Sequence, residues 1–251
     1  MFATIFSRNL QSTWSAPIWI IVAMLQPFFW VFVFAQLFEP VPVAYEGVTF
    51  DYLSYFGPGM LAATTFFGAM WAGIGFGMDR KSGVLNRFRM ACRSHRTIMA
   101  AYVMQSLTGV LAQALVVLVL VWFLGADLNW SALQLMLALG AILLLGFAIS
   151  SLSHLLVVLI KDEMGIIHIN GFIGLPLLFV SGVLFPITDS PGWLKALAQL
   201  NPLHHSAEIL RAILTEGYVA RHVGLYTGIL VLLCVVFFEI ATRSFRKQSR
   251  G

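Results

Sequence analysis

The chain has 251 residues, 59% of them hydrophobic and 10% charged, where an ordinary soluble domain carries about 25% charged residues. This excludes a soluble globular protein and marks an integral membrane protein, and the absence of short segments of alternating polarity excludes a membrane barrel. The net charge of +4 is distributed as a topology signal and does not indicate nucleic-acid binding.

Residues 1–17 are expected to form an interfacial helix. Phe2, Ile5, Phe6, Leu10 and Trp14 recur at helical spacing, while Ser7, Arg8, Gln11 and Ser12 fall on the other side. Pro17 ends that helix, which serves either as a simple anchor or as a lever touching a cytoplasmic partner. A membrane span needs about 20 mainly apolar residues to cross about 30 Å of hydrocarbon. Six stretches qualify: Ile18 to Phe38, Tyr55 to Met78, Thr97 to Leu124, Leu133 to Ile160, Met164 to Phe185 and Val223 to Ala241, the fifth being interrupted by His168, Asn170 and Pro176. In the second, Gly68 and Ala72, and Gly73 and Gly77, sit four apart, which lets another helix approach closely, within the chain or across a dimer seam.

Cytoplasmic loops beside spans retain Lys and Arg. With both termini cytoplasmic, twelve of the fifteen basic residues lie inside and seven of the eleven acids lie outside. Residues 78–96, MDRKSGVLNRFRMACRSHR, are then a cytoplasmic loop with six basic residues and one acid. Such a cluster sets topology and touches anionic lipid. Its apolar face of Val84, Leu85 and Phe88 also suits a short helix lying along the membrane and docking into another protein. Glu239, the only carboxylate near hydrocarbon, has Arg243 four residues on, so a snorkelling ion pair at the interface is expected rather than a proton relay. His154 and His168 are expected to be packing histidines.

Residues 186–222 break the apolar pattern. Trp193, Leu194, Leu197 and Leu200 form one helical face. Asn201 and Pro202 then make an N-cap and first-turn pair for a second helix, which directs Leu203, Leu210, Ile213 and Leu214 to apolar surroundings. Glu208 and Arg211, three apart, are expected to pair on its surface. Two short amphipathic helices joined at Asn201 and Pro202 predict an external re-entrant segment. His204 and His205 point about 100° apart on a helix and lack companion ligands, so no metal site is expected there.

The order of elements resembles the membrane subunit of a type-2 ABC exporter. DRKSGVLNRFRMACRSHRTIMAAY from Asp79 is similar to the coupling loop of these permeases, and its GVLNRFR, Gly83 to Arg89, resembles the daunorubicin-resistance branch. SGVLFPITDSPGWLKALAQLNPLHHSAEILRAIL, Ser181 to Leu214, resembles the family's C-terminal signature. The chain departs from the pattern at Met90, Ala91 and Cys92, where a proline is common, and at His204 and His205.

The resemblance implies an all-α integral membrane fold: one transmembrane domain over residues 1–251, with six transmembrane helices, the N-terminal interfacial helix and the re-entrant pair before the last span. It also implies a place in a prokaryotic-type inner cell membrane. Two copies, as a homodimer or pseudo-symmetric dimer, would form the pathway. Two separate ABC ATPase subunits would bind below, carrying the ATP and Mg, with no cofactor in this chain, which lacks any GxxxxGK[ST]. Asp79, Arg80, Gly83, Arg87, Phe88, Arg89 and Arg93 would couple to the ATPase. Phe185, Pro186, Pro191, Trp193, Asn201, Pro202, Glu208 and Arg211 would form an external gate. The expected cargo is a lipophilic or amphipathic drug or lipid, with a polysaccharide or lipo-oligosaccharide as the alternative within the family and a stand-alone secondary transporter as the alternative outside it. No catalytic residues are expected, and the surroundings are membrane lipid.

Overall fold

The computed structural model describes residues 2–14, 17–45, 47–92, 94–160, 163–219 and 222–248. Eleven helices appear among them: α1 (Phe2–Trp14), α2 (Pro17–Leu37), α3 (Tyr52–Met70), α4 (Gly73–Lys81), α5 (Val84–Ala91), α6 (His95–Phe123), α7 (Ala132–Ile160), α8 (Glu163–Val180), α9 (Gly192–Gln199), α10 (Pro202–Leu214) and α11 (Val223–Gln248). Each of the six predicted span segments is built on helix, although the fifth, expected to run to Phe185, leaves its helix at Val180. By length and composition four helical stretches among the described residues can cross a bilayer: Tyr52–Lys81, His95–Phe123, Ala132–Ile160 and Val223–Gln248. Of the other two segments, α2 is 21 residues long and α8 is 18.

The chain is helical for most of its length, in keeping with the all-α expectation, with one short exception. Between α2 and α3 the chain forms an antiparallel hairpin of β1 (Val43–Tyr45) and β2 (Val48–Phe50), in which Val43 pairs with Phe50 and Tyr45 with Val48. The register leaves a two-residue connection containing Gly47, whose φ is +83°, as tight hairpin turns require. Val43 and Phe50 are buried, so the hairpin is seated on the helices.

Two apolar cores stabilise the bundle. The larger joins the hairpin, α3, α6, α7 and α10 through residues such as Phe56, Leu61, Val117, Leu145 and Leu210. The smaller lies at the other end of the helices and gathers Ile5 of α1, Phe76 of α4, Leu85 of α5, Ile98 of α6, Val157 of α7 and Phe245 of α11. Helix α1 therefore packs into the protein along Ile5 and Asn9, both buried, while Phe2 of the predicted apolar face is exposed. The Asn9 side-chain oxygen accepts a hydrogen bond from Arg8 at 2.9 Å.

The predicted second span is broken at Trp71 and Ala72, between α3 and α4. A broken helix at membrane depth survives only where protein satisfies its backbone, and here α7 and α8 supply the groups. Ser153 Oγ donates to the Met70 carbonyl at 2.6 Å and accepts from the Gly73 amide at 3.0 Å, and Asn170 Nδ2 donates to the same carbonyl at 2.8 Å. Gly73 also answers the question of the small residues. A Cβ there would lie 2.6 Å from the Ser153 carbonyl oxygen and 2.7 Å from Val157, so the close approach is to α7 of the same chain.

His154 is fully buried, its Nδ1 2.7 Å from the Ser150 carbonyl. His168, expected to be packed, is instead exposed on α8, because the buried polar position there is taken by Asn170 at the helix break.

Candidate functional site

The residues singled out in the sequence fall at two ends of the bundle. At one end, α4 and α5 meet at Gly83, which has a φ of +78°. That left-handed turn suits glycine and lets the chain reverse into α5. Leu85 is buried beneath α5, Phe88 is half-buried, and Arg87 is exposed. Met90, absent from the expected set, is 81% exposed on the same short helix. An unbranched thioether beside a guanidinium makes an adaptable contact surface.

Two other basic residues of this loop, Arg80 and Arg89, turn inward. Arg80 Nη1 donates to the Val157 carbonyl of α7 at 2.9 Å, and the Arg89 guanidinium lies 4.5 Å from the centroid of the Phe245 ring in α11. Burial, and then the neighbouring Arg80, lower the pKa of Arg89 from its ordinary value. Asp79, at the end of α4, takes both Nη1 and Nη2 of Arg8, the latter at 2.9 Å, and accepts the Tyr102 hydroxyl of α6 at 2.5 Å. The bidentate pair fastens α1 to α4 in a fixed geometry. Arg93 lies outside the described residues.

Nearby, Glu239 binds Arg243 at 3.6 Å, as expected, and also Arg96 of α6 at 2.5 Å. Sequence spacing finds the first partner. The second is 143 residues away and has no local signal.

At the opposite end, Arg211 is fully buried. Its Nε donates to the Tyr55 carbonyl at 3.0 Å, Nη1 to Glu208 at 3.1 Å, and Nη2 to the carbonyls of Gly182 and Val183 at 2.9 and 3.1 Å. Its guanidinium lies 3.7 Å from the centroid of the Tyr55 ring. Glu208 also accepts from the Tyr218 hydroxyl at 2.9 Å, and the hairpin brings Tyr45 to 3.4 Å. The expected surface pair of Glu208 and Arg211 is thus corrected to a buried one. Helix α10 is enclosed by α3, α7 and α11, and the carbonyls where the chain leaves α8 need a donor.

Asn201 caps α10 as predicted, its Oδ1 accepting from the Leu203 amide at 3.0 Å, with Pro202 in the first turn. Its Nδ2 donates to the Leu177 carbonyl of α8 at 2.7 Å, so one side chain starts α10 and ties it to α8. Pro191 is the N-cap residue of α9, and Pro186 lies in the connection before it. Phe185 stands edge-on to Phe38 at 5.2 Å. Trp193 is 64% exposed and makes no part of this buried network. Tyr45, Tyr55 and Tyr218, which complete the network, were missed in the sequence, where Tyr at span ends reads as interface preference.

Between the two ends, α2, α3, α6 and α8 enclose a cavity of about 410 Å³. Trp30, Met60 and Phe67 make it mainly apolar, and Gln26, Thr64 and Gln113 add polar groups. Thr64 is buried, and its hydroxyl has no hydrogen-bond partner among the described residues.

The sequence matches the family profile described as ABC-2 type transporter over residues 1–215. It is 31% identical to a putative transport permease, ycf38, of Cyanophora paradoxa over 204 residues, covering 80% of this chain and 69% of that one. It is 26% identical to a daunorubicin resistance ABC transporter permease protein of Streptomyces coeruleorubidus, covering 98% of this chain and 89% of the other. A nodulation protein J of Rhizobium meliloti (strain 1021) is 33% identical over 115 residues, 46% of this chain and 44% of that one. With most of its length matched and with its long apolar helices, the chain belongs to the ABC-2 type transporter family and is a multi-pass membrane permease of an ABC transport system.

Proposed function

We propose that the chain is the membrane half of an ATP-driven exporter, with six spans and both termini cytoplasmic. Two copies form the pathway, and each docks one ATPase subunit in an inner cell membrane. The observation that carries this is the construction of α5. A short amphipathic helix stands on a left-handed glycine, with Leu85 anchoring one face and Arg87 and Met90 exposed on the other. ATP and Mg belong to the partner, since no phosphate-binding GxxxxGK[ST] occurs in this sequence.

Asp79, Arg80 and Arg89 have a different role from Arg87: they bind α5 and its turn to α1, α7 and α11. Movement imposed on α5 then reaches α4 and α6 directly, and transport follows as a shift between two packed arrangements. At the far end α9 and α10 form the external gate, α10 being the fixed element and α9 the exposed one.

A lipophilic or amphipathic cargo is supported by the cavity beside Trp30 and Phe67, where Gln26, Gln113 and the unpartnered Thr64 hydroxyl can receive a small number of polar groups. The similarity to a daunorubicin resistance permease supports the same class.

The test is purification from the native membrane in mild detergent. A separate ATP-binding protein is expected to co-purify, and Arg87→Glu is expected to release it while the permease stays folded. A chain that purifies alone and still moves a solute down an ion gradient would overturn the proposal.

A further inference from the structure

A second pocket, of about 620 Å³, lies at the α9–α10 end and is lined by Tyr45, Tyr55, Asp189, Lys195, His204, Glu208 and Tyr226 among others. This is ample for a small ligand. Its lining changes with depth. Tyr55, His204 and Glu208 are buried, whereas Asp189, Lys195 and Gln199 are exposed at the rim.

The deep part offers hydrogen-bond acceptors. His204 Nδ1 faces the Ser181 carbonyl at 2.8 Å and so must be the protonated nitrogen, which leaves Nε2 as an acceptor with no protein partner among the described residues. Glu208 meets Arg211 and Tyr218 through Oε1, and Tyr218 and the more distant Tyr45 through Oε2, leaving acceptor capacity on a carboxylate with about four lone-pair sites. Tyrosine rings beside these acceptors favour a cation. The rim adds donors, the ammonium of Lys195 and the amide of Gln199, beside the carboxylate of Asp189.

Helix α9 is the wall between this pocket and the surroundings. Lys195 and Gln199 line the pocket, and Trp193, Leu197 and Leu200, 64%, 47% and 80% exposed, occupy the opposite face. That is the pattern of a helix lying in a membrane interface. A ligand that enters from that side meets apolar surface first, a cation next, and acceptors and aromatic rings last.

From this order we infer that the pocket binds the headgroup of a phospholipid bearing a primary ammonium, of the phosphoethanolamine class, from the outer leaflet. The ammonium reaches Glu208 and His204, the phosphate stays at Lys195 and Gln199, and the acyl chains lie along Trp193, Leu197 and Leu200. The inference rests on the external placement of α9 and α10 in the proposed function, and is independent of what energises transport.

Native mass spectrometry of the full chain, released from detergent with equal amounts of phosphatidylethanolamine, phosphatidylcholine and phosphatidylglycerol, tests it without an ATPase. Preferential retention of phosphatidylethanolamine is expected, with occupancy falling at least fivefold in Lys195→Ala and in Gln199→Ala at unchanged helix content. Equal retention of the three lipids, retention indifferent to both substitutions, or phosphatidylcholine held as well as phosphatidylethanolamine would overturn it, since the choline ammonium has no N–H to donate. Glycerophosphoethanolamine at the same concentration is expected to leave the lipid in place; complete displacement would identify the soluble headgroup as the ligand and overturn the lipid assignment.

Discussion

The two ends of the bundle hold their charges differently. Arg211 is fully buried and spends its guanidinium on one carboxylate and three carbonyls. Arg8 makes its bidentate pair with the side chain 40% exposed, and Arg96 meets Glu239 with its own at 65%. A buried charge must be fully paired, and removing its partner leaves a large penalty, so the α10 end has one stable arrangement. Exposed pairs are worth little individually and are screened by salt, so the α5 end can exchange partners at low cost. Under the proposed function, the end that would receive movement and the end that would resist leakage differ in just this way.

Arg211→Met should have the largest effect. It leaves Glu208 and the carbonyls of Tyr55, Gly182 and Val183 unpaired in a closed site, a loss of about 3–5 kcal/mol, and little folded protein should survive thermal unfolding assays in detergent. If the variant melted like the wild type, the contrast between the two ends would disappear. Trp193→Ala and Pro202→Ala come next. They should lower export severalfold with assembly intact, because Trp193 lies outside the buried network and Asn201 still caps α10; normal transport by both variants would remove the gate. Asp79→Asn should cost about 1 kcal/mol or less in stability but release α1 from α4. Faster hydrogen exchange in α1, with that in α10 unchanged, is the expected readout, and raised salt should reproduce part of it in the wild type.

The sequence makes local features legible and long-range polar ones obscure. Asn201 with Pro202 and the Glu239–Arg243 pair are each written within a few residues, and both are found in the structure. Arg211 shows the limit. Its i−3 partner Glu208 is evident from spacing, but its burial depends on Tyr55, 156 residues away in the chain, and on carbonyls released where α8 ends. The break at Trp71 is hidden for the same reason. The stretch is apolar enough to read as one span, and the groups that stabilise the interruption, Ser153 and Asn170, lie on other helices. The hairpin was missed because its strands are three residues each, too short for alternation to be visible.

The smallest expected effect concerns acid. At the α10 end burial lowers the His205 pKa to about 4, with the neighbouring His204 lowering it further and Glu208 opposing. His204 is also lowered, again by burial first. In the unfolded chain both titrate near the ordinary value of about 6.5. Between pH 6.5 and 4 the unfolded state therefore binds more protons, so stability is complete above 6.5 and falls as the pH drops toward 4. His205, packed 4.7 Å from the Tyr226 ring, would have to charge inside that contact. The melting temperature should fall between pH 7.5 and 5, by about 2–4 °C for each kcal/mol lost, and the fall should be shallower in His205→Gln. Equal slopes in the two proteins would mean that α10 accommodates the charged ring, and the α10 end would then be less rigid than its buried Arg211 implies.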